Sequence, residues 1–185
     1  MKKINQILWE ALEVACMAFI PLFVCYQFLA RPFLVQGASM EPNFQNGNYL
    51  IVDVLTYKIE SPDRGDVVVF RYPGNRKLYF IKRIIGLPGD KIVFDQGKLY
   101  LNGNEQKEQY IPRESLSDEF SSRTEFNIQE GQYFVMGDNR GESFDSRSWG
   151  PLPETDMIGI VRVRLWPSFI IYTPKNEVQP QSATN

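Results

Sequence analysis

The sequence contains no histidine, and its two cysteines, Cys16 and Cys25, both lie in an apolar segment near the N-terminus. The absence of histidine excludes a Ser-His-Asp triad, a Cys-His dyad and any zinc site that needs an imidazole. The cysteine positions leave the rest of the chain without a disulfide, a thiolate nucleophile or a cysteine metal site. We therefore expect no metal and no cofactor.

The chain also lacks a strong excess of charge of either sign, since 20 lysines and arginines stand against 22 aspartates and glutamates. A formal net charge of −2 provides no basic stripe, so we expect no nucleic-acid partner. The 43% apolar content can fill a hydrophobic core. A chain of 185 residues then predicts one domain with an additional segment.

Only one long apolar run is present, from Val14 to Tyr26, and it reaches Ala30 if one glutamine is tolerated. A run of about 17 residues is at the lower limit for a helix that spans a bilayer. We therefore predict a transmembrane anchor over residues 13–30, preceded by a short cytoplasmic N-terminus at residues 1–12.

The flanks of this run bear on its orientation. Lys2 and Lys3 precede the run and favour a cytoplasmic N-terminus, which places the following domain on the extracytoplasmic side. A cleaved signal peptide is the alternative. Cleavage after Ala30 would put the bulky Phe28 at a position that prefers small residues, so a retained anchor is favoured.

Beyond residue 31 the chain lacks a sustained helical period. Eight short extended runs are candidate strands: Leu50–Leu55, Asp66–Tyr72, Leu78–Ile85, Lys91–Phe94, Lys98–Leu101, Tyr133–Met136, Ile158–Leu165 and Phe169–Tyr172. Turn-forming residues separate them, and Asp95-Gln96-Gly97 predicts a hairpin. The chain is thus mainly β, with antiparallel sheets over residues 31–174. Residues 103–130 form a polar excursion or inserted ribbon, and residues 175–185 a disordered tail.

Ser39 lies nine residues past the apolar segment, in the run Gly37-Ala38-Ser39-Met40-Glu41-Pro42. A nucleophile there would meet its substrates at the bilayer surface. Without histidine the serine needs another activator, and a Ser–Lys dyad is a known variant of the triad. Such a lysine must be neutral, which burial among apolar groups favours because it lowers the pKa.

Lys82 is the candidate for this lysine, because it lies inside the apolar run Leu78–Ile85. In a strand, Phe80, Lys82 and Ile84 share one face, so the amine projects among apolar neighbours. An isolated lysine in such a strand is also typical of an edge from which the side chain reaches solvent. Ser39 and Lys82 could therefore both be incidental.

A third cluster, residues 136–151, is dense in charge and contains Asp138, Arg140, Asp145 and Arg147. One interpretation is a polar surface loop with ordinary ion pairs. The other is a loop that charge-assisted hydrogen bonds make rigid enough to carry catalytic groups.

Together these clusters resemble the type I signal peptidases, membrane-anchored serine proteases with a Ser–Lys dyad. The resemblance covers nearly the whole chain and rests on four motifs in the family's order: Gly37–Pro42, Arg64–Phe70, Phe80–Asp90 and Gly137–Gly150. It implies a signal-peptidase-like β fold and an endopeptidase that removes signal peptides from preproteins after Ala-x-Ala. Preproteins and membrane lipid are the implied partners, at the cell membrane or an internal membrane such as a thylakoid.

The resemblance also implies roles for single residues. Ser39 is similar to the nucleophile and Lys82 to the general base, and the backbone N–H of Ser39 would help to form the oxyanion hole. Some members add a hydroxyl two residues before the nucleophile, where this chain has Gly37. Asn43 stands where the family often has threonine, and we treat that departure as minor.

Further residues would support the site or bind substrate. Ser143 is similar to the serine that orients the lysine amine. Asp138 and Arg147 resemble an ion pair that braces the loop, with Asp145 nearby.

Three apolar residues are candidates for the walls of shallow pockets that accept alanine: Phe33, Val35 and Ile81. Two other functions stay open, another Ser–Lys protease on a related β scaffold and a membrane-tethered domain that only binds partners.

Overall fold

The computed structural model describes residues 2–28, 30–56, 59–108, 110–111 and 123–172. The predicted tail at 175–185 and part of the polar excursion lie outside the described residues.

A long helix, α1 (Lys2–Phe28), precedes the β domain. The prediction of a helix here is confirmed, and the helix begins at Lys2 rather than at residue 13. In the part of the chain that the structure describes, no helix is both long and apolar enough to cross a membrane, so the predicted span over 13–30 is not found there.

The larger sheet has eight antiparallel strands. Seven follow one path in the spatial order β1 (Ala30–Leu34), β2 (Tyr49–Asp53), β11 (Met157–Trp166), β3 (Val67–Tyr72), β4 (Asn75–Gly86), β9 (Gln132–Met136) and β10 (Leu152–Pro153). The eighth, β12 (Ile170–Ile171), pairs with β11. The mainly antiparallel β prediction is confirmed, although β1 lies where the predicted anchor ends.

The smaller sheet has four strands in the order β7 (Asn104–Glu105), β6 (Lys98–Leu101), β5 (Lys91–Asp95) and β8 (Thr124–Asn127). The predicted hairpin joins β5 to β6. Its turn residues Gln96 and Gly97 have φ of 49° and 73°, as a two-residue turn that matches the strand twist requires. The excursion at 103–130 is therefore partly a ribbon, because β7 and β8 belong to this sheet.

Strand β3 lies in the middle of the larger sheet and has buried side chains on both faces. Val67 and Val69 pack in one buried cluster with Met40 and Phe44, whereas Val68 and Phe70 pack in another cluster with apolar side chains of β9 and β10. Successive residues of a strand face opposite sides of the sheet. A strand with an apolar core on each side therefore needs consecutive apolar residues, which β3 has from Val67 to Phe70. The neighbouring strand, β4, pairs along one edge with this buried strand.

Candidate active site

Ser39 and Lys82 meet beside β4 of the larger sheet. Lys82 Nζ lies 2.6 Å from Ser39 Oγ, and it also donates a hydrogen bond to the Ile81 carbonyl at 3.0 Å. The lysine is only 4% exposed and shares a face of β4 with Phe80 and Ile84, as the alternation predicts. The structure therefore brings the two predicted residues into hydrogen-bond contact.

Burial determines the protonation of Lys82. It lowers the pKa of the amine from its ordinary 10.5 to about 8, and the Arg147 charge acts in the same direction. The negative charges of Asp145 and Asp138 oppose this effect. At pH 7 about a tenth of such a lysine is neutral, compared with about three in ten thousand for an exposed lysine. Lys82 is thus suited to accept a proton.

The loop that carries Ser39 is anchored from beneath by two buried side chains, Met40 and Phe44. Phe44 N donates to the Met40 carbonyl at 2.9 Å, which closes one tight turn. Gly37 has φ of 94°, a conformation that favours glycine, and its N–H donates to Asn46 Oδ1 at 3.1 Å. The backbone conformation therefore explains why no hydroxyl-bearing residue stands at position 37.

A second loop, residues 137–145, docks on the first. Asn139 donates from its backbone N–H to the Ser39 carbonyl at 3.1 Å and from its side chain to the Ala38 carbonyl at 3.3 Å. A Cβ on Gly137 would lie 2.3 Å from the Ser39 carbonyl oxygen and 2.2 Å from Ser143 Oγ. Only glycine at 137 permits this close approach.

Asp145 holds the second loop in shape. Its carboxylate accepts hydrogen bonds from Arg147 Nε at 2.9 Å and from the Gly137 N–H at 2.9 Å. It also caps the short helix α2 (Ser146–Trp149) by accepting from the Arg147 N–H. Arg147 in turn donates to the Arg140 carbonyl at 2.6 Å. These buried, charge-assisted bonds support the interpretation of a rigid loop.

Asp138 pairs with a residue that the sequence did not single out. Arg83 Nε and Nη2 donate to its two carboxylate oxygens at 2.8 and 2.6 Å. Arg83 directly follows Lys82 on β4, and alternation along the strand would have identified its face but not its partner. The predicted pairing of Asp138 with Arg147 stays a prediction.

Ser143 lies in the second loop, and its Oγ is buried with no hydrogen-bond partner among the described residues. The predicted hydrogen bond to the Lys82 amine is therefore not formed in this structure. The amine instead uses Ser39 Oγ and the Ile81 carbonyl.

A cleft of about 570 Å³ opens beside the dyad. All three predicted pocket residues line it, together with Ser39 and Lys82: Phe33, Val35 and Ile81. Leu50 and Val69 add apolar surface. The cleft is thus largely apolar beside the serine.

One edge of β4 beside this cleft is open. Strand β9 pairs with β4 only from Arg83 onward, whereas β3 pairs with β4 from Asn75 to Arg83. Within the described strands, the backbone from Asn75 to Lys82 therefore has no strand partner on the side of β9. An extended peptide could pair there, next to the dyad.

Comparisons with known proteins identify the family of this chain. The family described as signal peptidase, peptidase S26, matches residues 8–166. The chain is 34% identical over 164 residues to signal peptidase IB of Staphylococcus aureus, an alignment that covers 81% of this chain and 85% of that protein. It is 37% identical over 145 residues to a probable signal peptidase I-2 of Synechocystis, covering 76% of this chain and 65% of that protein.

A solved structure of a signal peptidase I from Enterococcus faecalis is also similar, with 31% identity and a TM-score of 0.48. The match covers 55% of this chain and 97% of that one. From the family match and the extent of the sequence similarity, the chain belongs to the signal peptidase family, peptidase S26, and is a type I signal peptidase, a serine endopeptidase.

Proposed function

We propose that the chain cleaves signal peptides from preproteins by a dyad in which Ser39 is the nucleophile and Lys82 the general base. The observation that carries this proposal is the 2.6 Å contact between Lys82 Nζ and Ser39 Oγ in an apolar cleft. A base within hydrogen-bond reach of its nucleophile, with a lowered pKa, meets both requirements of general-base catalysis.

The reaction runs in two stages. Neutral Lys82 takes the Ser39 proton as Oγ bonds to the carbonyl carbon, and the resulting ammonium gives that proton to the leaving amine as the peptide bond breaks. Water then attacks the acyl-enzyme, again losing a proton to Lys82, and the ammonium returns a proton to Ser39 as the acid product leaves. The Ser39 backbone N–H would donate to the oxyanion.

The substrate would bind as an added strand on the open edge of β4, with main-chain hydrogen bonds to residues between Asn75 and Lys82. Phe33, Val35 and Ile81 would then form shallow apolar pockets that accept alanine and exclude larger side chains. This arrangement would explain cleavage after Ala-x-Ala.

Supporting roles fall to the second loop. The Asp145–Arg147 contacts would keep the loop rigid, and Asp138 would stabilise it from the opposite side. Ser143 would accept or donate a hydrogen bond at the Lys82 amine once acylation removes the contact with Ser39 Oγ. The Ser143 hydroxyl is buried and has no hydrogen-bond partner within the described part of the chain, which supports this assignment.

We also propose that α1 attaches the chain to a membrane, with the N-terminus cytoplasmic and the catalytic domain extracytoplasmic, at the cell membrane or at an internal one such as a thylakoid. Support comes from the apolar run Val14–Tyr26 and from the exposed apolar side chains along α1, including Trp9 and Phe19. Extraction of expressed membranes with alkaline carbonate tests this attachment. Release of the full chain into the soluble fraction would contradict it.

Cleavage of a purified preprotein with an Ala-x-Ala site tests the dyad. Ser39→Ala and Lys82→Ala should each abolish cleavage, whereas the matched controls Ser61→Ala and Lys98→Ala, at exposed positions, should keep it. Retained activity in a folded Ser39→Ala or Lys82→Ala variant would overturn the dyad. A folded wild-type chain that cleaves no preprotein would favour a binding function instead.

A further inference from the structure

Asn43 lies four residues past the nucleophile and is 8% exposed. Its side-chain amide donates two hydrogen bonds, to Asp138 Oδ2 at 2.9 Å and to the Tyr110 carbonyl at 2.7 Å. Its own backbone carbonyl accepts from Arg164 Nη1 at 2.9 Å. The asparagine is thus fixed at both its backbone and its side chain.

The contact with Asp138 connects the two halves of the dyad. Asp138 is fully buried and accepts from Arg83, the residue next to Lys82 on β4. A continuous path therefore runs from the loop of Ser39 through Asn43, Asp138 and Arg83 to the strand of Lys82. This path is a second link between the two loops, besides the direct hydrogen bond from the Asn139 N–H to the Ser39 carbonyl.

Tyr110, whose carbonyl accepts from the Asn43 amide, also lies against the Arg83 end of this path. The Arg83 guanidinium lies over the Tyr110 ring, 4.4 Å from its centroid. The Tyr110 hydroxyl donates to Glu108, and Glu108 accepts from both terminal nitrogens of Arg140. Arg140 Nε then donates to the Gly137 carbonyl at 3.0 Å. The Tyr110 ring thereby covers one side of the buried Arg83 guanidinium, and Asn43 joins Tyr110 to the loop that carries Ser39.

We propose that Asn43 is a positioning residue that sets the distance between Ser39 Oγ and Lys82 Nζ by tying the nucleophile loop to the Asp138–Arg83 pair. The proposal rests on the dyad proposed above. Small displacements matter in such a site, since misplacing a reacting group by about 1 Å can reduce a rate about a hundredfold.

We expect the loss of the Asn43 amide to have an effect that the loss of a merely structural contact would not have. The charged groups that face Lys82 are Asp145, Asp138 and Arg147. Removal of the Asn43 amide leaves Asp138 with one hydrogen bond fewer and opens space for water beside the pair. A Ser39 loop that is no longer tied to the pair moves away from β4 and lets water reach the Lys82 amine, so the burial of Lys82 falls, its pKa rises and the rate profile moves to higher pH.

The test measures steady-state preprotein cleavage against pH for the full chain and for Asn43→Ala, Asn43→Thr and Asn102→Ala. We expect Asn43→Ala to lower kcat about tenfold, because a displacement of Ser39 by less than about 1 Å should cost less than the roughly hundredfold given above, with KM within about twofold and a higher pH midpoint. Asn43→Thr keeps one donor and should recover part of kcat.

Asn102→Ala is the matched control, because the Asn102 amide also donates to an aspartate, Asp90 at 2.8 Å, but on the smaller sheet. It should lower thermal stability without moving the pH midpoint. If Asn43→Ala fails to fold, Asn43→Ser takes its place, because its shorter side chain cannot reach both Asp138 and Tyr110 and should still lower kcat.

Wild-type kcat and pH midpoint in a folded Asn43→Ala or Asn43→Ser variant would overturn the positioning role while leaving the dyad intact. Activity in Ser39→Ala or Lys82→Ala would instead overturn the dyad itself, so the two failures are distinguishable.

Discussion

Charged pairs are buried around the dyad and exposed on the smaller sheet. The side chains of Arg83 and Asp138 are 5% and 0% exposed, whereas those of Lys98 and Glu105 are 54% and 45% exposed. Exposed pairs contribute little because water and salt screen them. Buried ion pairs lose their hydration when the chain folds. Removing one partner of such a pair leaves the other charge buried without compensation. The smaller sheet is stabilised by an apolar core of residues such as Ile92 and Phe94, whereas the active site depends on its charges.

The largest effect should come from breaking the buried pair. Arg83→Met leaves the Asp138 carboxylate buried without its main partner, so the free energy of unfolding should fall by about 3–5 kcal/mol and cleavage should be lost. Urea unfolding measures the change, and Arg123→Met on the smaller sheet is the control. Equal free energies of unfolding for the two variants would show that the buried pair contributes no more to stability than the exposed one.

Replacing the buried lysine should increase the free energy of unfolding rather than decrease it. Burial lowers the pKa of Lys82 to about 8, so the folded chain holds a costly charge at every pH below that value. Lys82→Met should therefore be inactive but more stable at pH 7, by up to about 3 kcal/mol, the free-energy equivalent of the lowered pKa.

The stability advantage of Lys82→Met over the wild type should depend on pH. Between pH 8 and 10.5 the unfolded wild type binds a proton that the folded one does not, so wild-type stability rises with pH and the advantage of Lys82→Met disappears. Unfolding both proteins at pH 7 and above 10.5 measures this. An advantage that is the same at both pH values would contradict a buried, titrating lysine.

The rate of cleavage should follow the same ionisation. Because only neutral Lys82 acts as a base, kcat/KM should rise about tenfold per pH unit below its midpoint and level off above about pH 8. Initial rates across pH 6–10 give the profile. A midpoint near 10.5 would mean that the amine is solvated in the working enzyme.

The smallest effect should come from an exposed pair. Lys98→Met removes the contact with Glu105, whose N–O distance is 3.2 Å, and the melting temperature should not change measurably at low or high salt. Calorimetry at two salt concentrations suffices. A loss of stability confined to low salt would show that surface charges also stabilise the smaller sheet.

Patterns local in sequence predicted much of this molecule. The run around Lys82 identified both its strand and its face, and Asp95-Gln96-Gly97 identified the hairpin. Strand β8 was hidden in the polar excursion because its four residues, Thr124–Asn127, alternate between half-buried and exposed. Such a short strand has too little apolar character to be recognised without its neighbour.

The contacts between distant residues were beyond the sequence. Arg83 and Asp138 are 55 positions apart, and nothing local distinguishes this pair from the predicted pairing of Asp138 with Arg147. Gly37 was read as a missing hydroxyl, and the structure adds the reason in its φ of 94°. At Asn43 the sequence shows only a departure from threonine, since the two acceptors of its amide, on Asp138 and Tyr110, lie far away along the chain.

The open edge of β4 has a consequence for the breadth of substrates. Every polypeptide offers the same N–H and C=O groups, so a site that reads backbone can serve a whole population of exported proteins with unrelated sequences, and discrimination falls to two small side chains. An unpaired edge also invites other copies of the same protein to add to it. Lys77 lies on this strand and is exposed, so its charge would repel the same lysine of a second copy, whereas a neutral, extended peptide could still pair there.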